Sequence, residues 1–237
     1  MAGGWAVKIS VILTSFNRPY WVRQAIKSVL DQTYKNYQLV IVDESNLFDI
    51  MELMKEFNLT EVKVIKNLVS PAQRSQTNRL SININAGLQH ATGDLICYLA
   101  DDDYYYPTWF ESAVKYFKEA PHVGAAFGKL VYSNNKEMEF ITDPAPVNLR
   151  FFNQVLANPF DKIDHNQAMH KRFDPPLTWS EHMNTVGGPD AYFFRDVARS
   201  FPFHPIQAFA AVKRIHPKNL QSSLKDYYAG AIDGSRE

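Results

Sequence analysis

The sequence predicts an α/β fold with a mostly parallel sheet and helices on both faces. Strand-like and helix-like segments alternate over roughly the first hundred residues, which is typical of parallel strands joined by helices. Two acidic clusters, Asp43-Glu44 and residues 101–103, each directly follow an apolar strand-like run. Because parallel strands end at the same edge of a sheet, both clusters should line one cleft.

Apolar spacing predicts each element of this alternation in turn. β-rich apolar runs predict strands at residues 7–13, 38–42, 62–65 and 95–100. Apolar positions at helical spacing predict helices at residues 18–32, 47–58 and 74–91. Asn17 is a candidate N-cap of the first helix, and Pro19 is compatible with its first turn.

The pattern loosens after about residue 121. Short strands are predicted at residues 123–127 and 130–133, and residues 141–189, rich in Pro, Asn, Asp and His, are predicted to form loops. Such loops often form the variable part of a binding site. We therefore expect one domain over residues 1–237, with a regular half at 5–120 and a loop-rich half at 121–237.

Composition narrows the class of protein. Of 237 residues, 46% are apolar, which is enough for a substantial core. Lysine plus arginine equals aspartate plus glutamate at 25 each, so no basic face for a nucleic-acid partner is expected. The single cysteine, Cys97, favours a reducing, cytoplasmic compartment. No apolar run approaches about 18 residues, so no transmembrane helix is expected and peripheral membrane contact is left open.

Asp101-Asp102-Asp103 is the most informative motif. Three carboxylates cannot be buried with the strand before them, so they should emerge at its end. Closely spaced carboxylates repel one another unless a cation lies between them, and a hard divalent ion that also binds a diphosphate is the simplest partner. An acidic turn capping a helix near Pro107 is the open alternative.

Common nucleotide-binding and hydrolase motifs are absent. Residues 14–19 read TSFNRP where a dinucleotide-binding fold would have its glycine-rich turn, and neither a P-loop nor a Gly-x-Ser-x-Gly elbow occurs. A nucleotide site with strand-end aspartates but without glycine-rich loops indicates a diphosphate held through a metal ion.

An ordered set of motifs resembles family 2 glycosyltransferases. The set comprises residues 9–19, 28–34, 39–43, 85–87 and 92–94, followed by the aspartates and Pro107. Residues 163–165, 169–170 and 190–195 extend the likeness to the spore-coat polysaccharide members of the family. The resemblance implies a GT-A fold, a nucleotide-diphosphate-sugar donor, a divalent metal and inversion at the anomeric carbon. It also makes residues 5–120 the donor half and 121–237 the acceptor half.

The resemblance implies roles for individual donor-site residues. The positions that hold the base are matched by Thr14, Phe16, Glu44 and Arg74. Glu44 replaces an aspartate of those relatives and Phe16 replaces a stacking tyrosine, which leaves uracil and thymine both open. Asp101 matches the residue that binds the ribose.

The implied metal is Mn²⁺ or Mg²⁺, which suits carboxylate and phosphate ligands. Asp102 matches the metal-binding position, although Ala100 stands where the wider family has a further aspartate. Asp103 either shares the metal or caps the next helix. His216 lies in a C-terminal basic segment like that of the family, where it either completes the metal shell or contacts phosphate.

Inverting transfer needs a base that accepts the proton of the acceptor hydroxyl. Asp190, which follows two glycines and Pro189, matches the base of the family; its alternative is a helix N-terminal carboxylate without chemistry. Glu181 is a weaker candidate base. Trp179 is the candidate for stacking on the acceptor sugar, and Asp164-His165 is a candidate for lining the acceptor side.

The sequence thus predicts a metal-dependent inverting glycosyltransferase. It would move a sugar from a UDP- or dTDP-sugar to the hydroxyl of a carbohydrate or glycoconjugate acceptor, in polysaccharide or glycoconjugate biosynthesis. One alternative is a sugar-phosphate nucleotidyltransferase, whose glycine-rich loop residues 14–19 lack. The other is a non-catalytic nucleotide-binding protein, against which Asp102 and Asp190 argue.

Overall fold

One sheet runs through the residues that the computed structural model describes, 6–59, 62–138, 149–183 and 187–216. Its strands are β1 (Ile9–Ser15), β2 (Tyr37–Asp43), β3 (Lys63–Lys66), β4 (Leu95–Ala100), β5 (Tyr104–Tyr105), β6 (Ala125–Ser133), β7 (Leu149–Arg150), β8 (Ala168–Lys171) and β9 (Phe203–Arg214). The helices are α1 (Pro19–Leu30), α2 (Ile50–Glu56), α3 (Pro71–Gln76), α4 (Arg79–Leu88), α5 (Trp109–Glu119) and α6 (Gly188–Ala198).

The strand order is β3-β2-β1-β4-β8-β6-β9-β5, with β7 paired to β6. The first four strands of this order are parallel, as the alternating sequence pattern predicts. Beyond them β8 is antiparallel to both β4 and β6, whereas β9 runs parallel to β6. The α/β class with a mostly parallel core sheet is therefore confirmed.

In the described residues, side chains that alternate along the strands form two large cores, one on each face, beside a smaller cluster around Tyr104 and Val212. Along β1, Val11 and Leu13 contact the core formed with α1, α2 and α5. Ile12 points to the other face, where Ile84 of α4 and Phe194 of α6 pack. Helices thus cover both faces of the sheet, as predicted.

Several boundaries differ from the sequence predictions. Residues 74–91 are not one helix, because Thr77 is extended and the side chain of Asn78 caps a second helix by accepting from Ser81 N (3.3 Å). The two short strands predicted at 123–133 form one strand, β6, with a register shift between Phe127 and Leu130. Asn17 is not the N-cap of α1; that position is Arg18, and Asn17 takes a left-handed φ of 52°.

The loop prediction for residues 141–189 is wrong in part. The segment contains the two-residue strand β7, a 3₁₀ turn at His165–Gln167 and the sheet strand β8. Strands this short cannot be recognised from apolar–polar alternation, because four residues contain only two repeats of the pattern. Residues 141–148 and 184–186 lie outside the described part of the chain.

Candidate functional site

The ends of β1, β2 and β4 meet at one edge of the sheet. Thr14 lies in register between Val42 and Ala100, and Ser15 lies opposite Asp43. Both acidic clusters, Asp43-Glu44 and residues 101–103, are therefore neighbours. We call this side of the sheet the acidic edge. The predicted cleft edge is where parallel α/β sheets place their ligand sites.

Glu44, Arg74 and Phe16 form one contact group at this edge. Glu44 is 3% exposed, and its carboxylate pairs with both Arg74 and Arg79. The guanidinium carbon of Arg74 lies 3.3 Å from the centre of the Phe16 ring. Three of the four predicted base-site residues are thus together. Arg79 was not predicted from the sequence. It reaches the same carboxylate as Arg74 because the helix is interrupted at Thr77, and the sequence pattern did not show that interruption.

The aspartate triplet lies at the end of β4 as predicted, but it is buried, contrary to the prediction that three carboxylates there could not be. Asp101, Asp102 and Asp103 are 4%, 8% and 2% exposed. Burial is tolerated because donors and cations replace the water around each carboxylate. Asp101 accepts from Phe16 N (2.8 Å) and from Arg18 Nη1 (2.7 Å).

Asp102 and His216, the two predicted metal ligands, are in direct contact. Asp102 Oδ2 lies 3.0 Å from His216 Nε2 and 2.9 Å from Arg18 Nη1. The His216 ring packs against Trp21, with ring centres 4.1 Å apart. A carboxylate oxygen and an imidazole nitrogen that face each other fit the donor set expected for Mn²⁺.

Asp103 does not cap the following helix. Its Oδ1 accepts from Arg214 N (2.8 Å) and its Oδ2 from Asn166 Nδ2 (2.8 Å). Residues 104–105 form β5, which pairs with β9, so α5 begins only at Trp109 with Thr108 as its N-cap. Asp103 joins the end of β9 to the acidic edge.

The pKa values of Asp101 and Asp102 are shifted in opposite directions. Burial, together with the charge of Asp102, raises the pKa of Asp101 to about 7 despite Arg18. Burial also acts to raise the pKa of Asp102, but the hydrogen bond from His216 and the charge of Arg18 outweigh it and hold that pKa below its usual value. Asp102 is therefore the carboxylate that stays charged, as a metal ligand must.

A second cluster surrounds Asp190 at the start of α6. His165 Nδ1 lies 3.5 Å from Asp164 Oδ1 and 3.8 Å from Asp190 Oδ2. Lys213, near the end of β9, pairs with Asp164. Burial opposes a charged imidazole, yet the carboxylates of Asp164 and Asp190 raise the pKa of His165 above its usual value. The Asp190 side chain is 20% exposed, so it is the carboxylate of this cluster that reaches the surface.

Asn166 connects the two clusters. Its Nδ2 donates to Asp103 Oδ2 and to Asp164 Oδ1, both at 2.8 Å, and its Oδ1 accepts from Ala100 N (3.0 Å). Sequence reading missed this residue, because a neutral amide in a loop gives no charge or spacing signal. One side chain thus fixes the distance between the triplet and the Asp190 cluster.

Two glycines set the position of Asp190. Gly187 and Gly188 have φ values of +83° and +82°, a region of backbone conformation that residues other than glycine rarely adopt. A Cβ on Gly188 would lie 2.9 Å from Asp190 Oδ1. The same oxygen accepts from Ala191 N (3.1 Å), which orients the carboxylate at the first turn of α6.

Trp179 is not an exposed stacking platform, so that prediction is wrong. Its side chain is 1% exposed and stacks on Phe193, with ring centres 4.8 Å apart and planes inclined by 19°. It also packs edge-on against His165, with ring centres 6.2 Å apart. Burial of a large aromatic ring such as an indole among apolar side chains is energetically favourable. Trp179 therefore forms a wall behind the Asp190 cluster.

Glu181, the weaker candidate base, and His170, in the 169–170 motif, both have partners outside the Asp190 cluster. Glu181 accepts from Asn85 Nδ2 of α4 (2.9 Å), which ties the loop before α6 to the rest of the chain. His170 is buried, with Nε2 2.8 Å from the hydroxyl of Tyr98 and Nδ1 2.7 Å from the carbonyl oxygen of Lys171. His170 is a hydrogen-bonded core residue of β8.

A metal ion between Asp164, His165 and Asp190 is the weaker of two candidate metal sites. One ligand atom of each lies within 4.8 Å of the others. However, the ammonium of Lys213 already balances Asp164. A divalent ion would face a cation at either site, Lys213 here and Arg18 at Asp102. Only Asp102 and His216 are the residues that the family resemblance assigns to the metal.

The class of protein follows from comparison with known families. The model for glycosyl transferase family 2 matches residues 10–177. This match covers more than half of the chain, including the strands that form the acidic edge. The chain therefore belongs to glycosyl transferase family 2, which confirms the resemblance seen in the sequence.

Individual proteins show how far the likeness extends. Protein CgeD of Bacillus subtilis is 31% identical over 238 residues, which span 96% of this chain but 55% of CgeD. A crystal structure of S. aureus TarS 1–349 superposes with a TM-score of 0.69 at 15% identity, covering 94% of this chain and 62% of that one. The same protein in complex with UDP-GlcNAc gives a TM-score of 0.67 at 13% identity, covering 91% and 61%.

A further neighbour is the mannosyltransferase PcManGT from Pyrobaculum calidifontis in complex with GDP-Man and Mn²⁺. It has a TM-score of 0.62 at 14% identity, covering 98% of this chain and 66% of that chain. These neighbours confirm the GT-A fold. Among the helices of the described residues, none is long and apolar enough to cross a membrane.

Proposed function

We propose that this domain is an inverting glycosyltransferase that uses a UDP- or dTDP-sugar and a divalent metal ion. The proposal rests on one observation: base-site, ribose-site and metal-site candidates follow one another along a single sheet edge. Phe16 and Glu44 stand at one end of this row, Asp101 follows, and Asp102 with His216 ends it. Asp190 lies beyond, joined to the row through Asn166 and Asp164.

The donor is proposed from chemistry and supported by the fold neighbours. A carboxylate such as Glu44 can accept an N–H of the base, the Phe16 ring offers a stacking face, and Thr14 borders the same edge. Neighbours of this fold have been crystallised with UDP-GlcNAc and with GDP-Man, so the fold itself does not select the base. We therefore assign base choice to Thr14, Phe16, Glu44 and Arg74.

Asp190 is the proposed base. As the acceptor hydroxyl attacks the anomeric carbon, its proton passes to the Asp190 carboxylate, and the bond to the departing diphosphate breaks. His165 beside one oxygen and Ala191 N at the other hold that carboxylate in place. A divalent ion bound at Asp102 and His216 would offset the charge that develops on the diphosphate.

The setting of the reaction is proposed more broadly. Polysaccharide or glycoconjugate biosynthesis suits a family 2 domain, and the acceptor would be a carbohydrate or glycoconjugate hydroxyl. A cytoplasmic location is supported by Cys97, a buried free thiol whose pKa burial raises to about 12. Such a thiol is neither part of a disulfide nor reactive.

Calorimetry with nucleotides tests the donor and metal sites. We expect UDP or dTDP to bind more tightly with Mn²⁺ than with excess chelator, and GDP to bind more weakly than both. Asp102→Asn should lose the Mn²⁺ enhancement, since an amide is a weaker ligand than a carboxylate. Asp31→Asn, which changes an exposed carboxylate at the end of α1, is the control. Equal affinity with chelator would refute the metal role of Asp102.

Nucleotide release from donor sugars, measured with a panel of acceptors, tests the base. Asp190→Asn should bind the donor as wild type does but lower turnover by about 10²- to 10⁴-fold. Asp196→Asn changes another carboxylate of α6, one that pairs with surface arginines, and should leave turnover intact. Wild-type turnover in Asp190→Asn would remove Asp190 as the base.

A further inference from the structure

Arg18 contacts both the ribose-site and the metal-site aspartates. Its Nη1 lies 2.7 Å from Asp101 Oδ1 and 2.9 Å from Asp102 Oδ2. The two carboxylates are buried, whereas 29% of the Arg18 side chain is exposed. A guanidinium from the start of α1 is thus shared between the two carboxylates that the proposed donor–metal complex also uses.

Arg18 contacts the same oxygen of Asp102 that faces His216, the other proposed metal ligand. Asp102 Oδ2 already has Arg18 Nη1 and His216 Nε2 as neighbours, at 2.9 and 3.0 Å. A divalent ion on that oxygen would face the positive charge of Arg18 at a few ångströms, where like charges repel strongly away from bulk water. The ion and Arg18 therefore compete for the same lone pairs.

Arg18 can leave this position without unfolding its helix. It is the N-cap residue of α1, where it makes no side-chain capping hydrogen bond, and it precedes Pro19. Its long side chain reaches the aspartates from the exposed end of the helix. Rotation about the side-chain bonds moves the guanidinium while the backbone of α1 stays in place.

We propose that Arg18 is a resident cation of the acidic edge, which a divalent ion displaces from Asp102 when it binds. In this arrangement Arg18 offsets the mutual repulsion of Asp101 and Asp102 until the ion takes over that role. The displaced guanidinium then stays at the cleft, where it is available to an anionic diphosphate. The inference rests on the proposed metal role of Asp102. It adds that the metal ion and the Arg18 guanidinium compete for the Asp102 carboxylate.

Mn²⁺ alone is the probe, and the paramagnetic resonance signal of free Mn²⁺ measures its binding. Arg18→Gln should bind Mn²⁺ about tenfold more tightly than wild type, because no charge-assisted pair has to be broken and no like charge remains. Arg23→Gln is the matched control on α1; its guanidinium pairs with Glu56 at the surface, and Mn²⁺ affinity should not change. UDP with Mn²⁺ should bind Arg18→Gln more weakly than wild type.

The outcomes separate this inference from the proposed function. If Arg18 only held the carboxylates in shape, Arg18→Gln would bind Mn²⁺ with equal or lower affinity, and the inference would be overturned while the metal site stood. If neither wild type nor Arg18→Gln bound Mn²⁺, the metal site would fall and the inference with it. Should Arg18→Gln not fold, Arg18→Lys is the substitute: a lysine cannot span both carboxylates as a guanidinium does, so Mn²⁺ binding should still tighten, by a smaller factor. Unchanged or weaker binding in Arg18→Lys would then count against the inference.

Discussion

Several buried carboxylates near the sheet edge have a specific cationic partner. Asp43 pairs with Lys66, Glu44 with two arginines, and Asp164 with Lys213. A buried ion pair adds little net stability, but removing one partner leaves an uncompensated charge that costs several kcal/mol. Individual side chains therefore decide whether this edge can remain buried.

Lys213→Met should be strongly destabilising. The substitution keeps the length of the side chain but leaves Asp164 without its ammonium partner, and we expect a loss of about 3–5 kcal/mol in the free energy of unfolding. Urea denaturation measures the change. Lys115→Met alters an exposed lysine on α5 and should change stability by less than about 0.5 kcal/mol. Similar effects in both variants would contradict the role given to Lys213.

His170 predicts one pH dependence of stability. Burial lowers its pKa to about 4, below the value of about 6.5 expected in the unfolded chain. The unfolded state therefore binds more protons between these values, and the His170 contribution to stability, complete above about pH 6.5, is lost as pH falls toward about 4. Asp101, whose pKa is raised, contributes with the opposite sign over an overlapping range.

Comparison of wild type with His170→Gln isolates the histidine contribution. The unfolding free energy of wild type minus that of the variant should shrink as pH is lowered from 7 to about 4, since glutamine does not titrate. A difference that stays constant with pH would show that His170 does not titrate in this window.

Most residues of the candidate site were predictable, but their partners were not. Asp101, Asp102 and Asp190 stand out because carboxylates at a strand end or beside glycines are unusual in sequence. Arg18 and Asn166 do not stand out, because their roles depend on contacts with residues 63 to 84 positions away. For the same reason the burial of the triplet could not be predicted, since its compensating groups come from distant segments.

At the start of α6, backbone conformation and side-chain position depend on each other. The left-handed backbone at Gly187 and Gly188 leads directly into the turn that holds Asp190. The helix then places Phe193 and Phe194 in the core, which anchors this turn to the sheet. The glycines are visible in the sequence, but the sign of their φ angles is not.

Gly188→Ala should impair turnover more than folding. The added methyl would lie 2.9 Å from Asp190 Oδ1 and would displace the carboxylate, while the positive φ costs about 1 kcal/mol of stability. We expect nucleotide release to fall by about tenfold or more, with donor affinity unchanged in calorimetry. Unchanged turnover would show that the carboxylate position near Gly188 is unimportant.

Sequence patterns predicted long elements better than short ones. The buried run of β4 and the apolar face of α1 repeat often enough to be read directly. The break between α3 and α4 depends on two polar residues within a helical pattern, and β8 has four residues. Such features are fixed by tertiary contacts rather than by local periodicity.

Across the whole molecule, the sheet separates two apolar cores that stabilise different parts of the site. The core with α1, α2 and α5 lies behind the acidic edge, and the core with α4 and α6 lies behind Asp190. Trp179 belongs to the second core, where it packs on Phe193, Phe194 and Tyr98. Loss of this indole should therefore lower the stability of the whole fold rather than remove a single contact.

Trp179→Ala should destabilise the protein by about 3–5 kcal/mol, the usual cost of removing a large buried aromatic. Thermal and urea unfolding measure this loss. Tyr192→Ala, which removes a partly exposed aromatic of α6, should cost less. A Trp179→Ala variant with wild-type stability and only a raised acceptor KM would restore the stacking role that its burial contradicts.

The antiparallel strand β8 has a practical consequence for building chimaeras within the family. Because β8 lies between β4 and β6, it is hydrogen-bonded on one side to a strand of residues 5–120 and on the other to a strand of residues 121–237. A graft that exchanges residues 121–237 must therefore recreate the pairing of Leu95, Ile96 and Cys97 with a foreign strand. An exchange of exposed loops alone leaves β8 and its pairing with β4 in place.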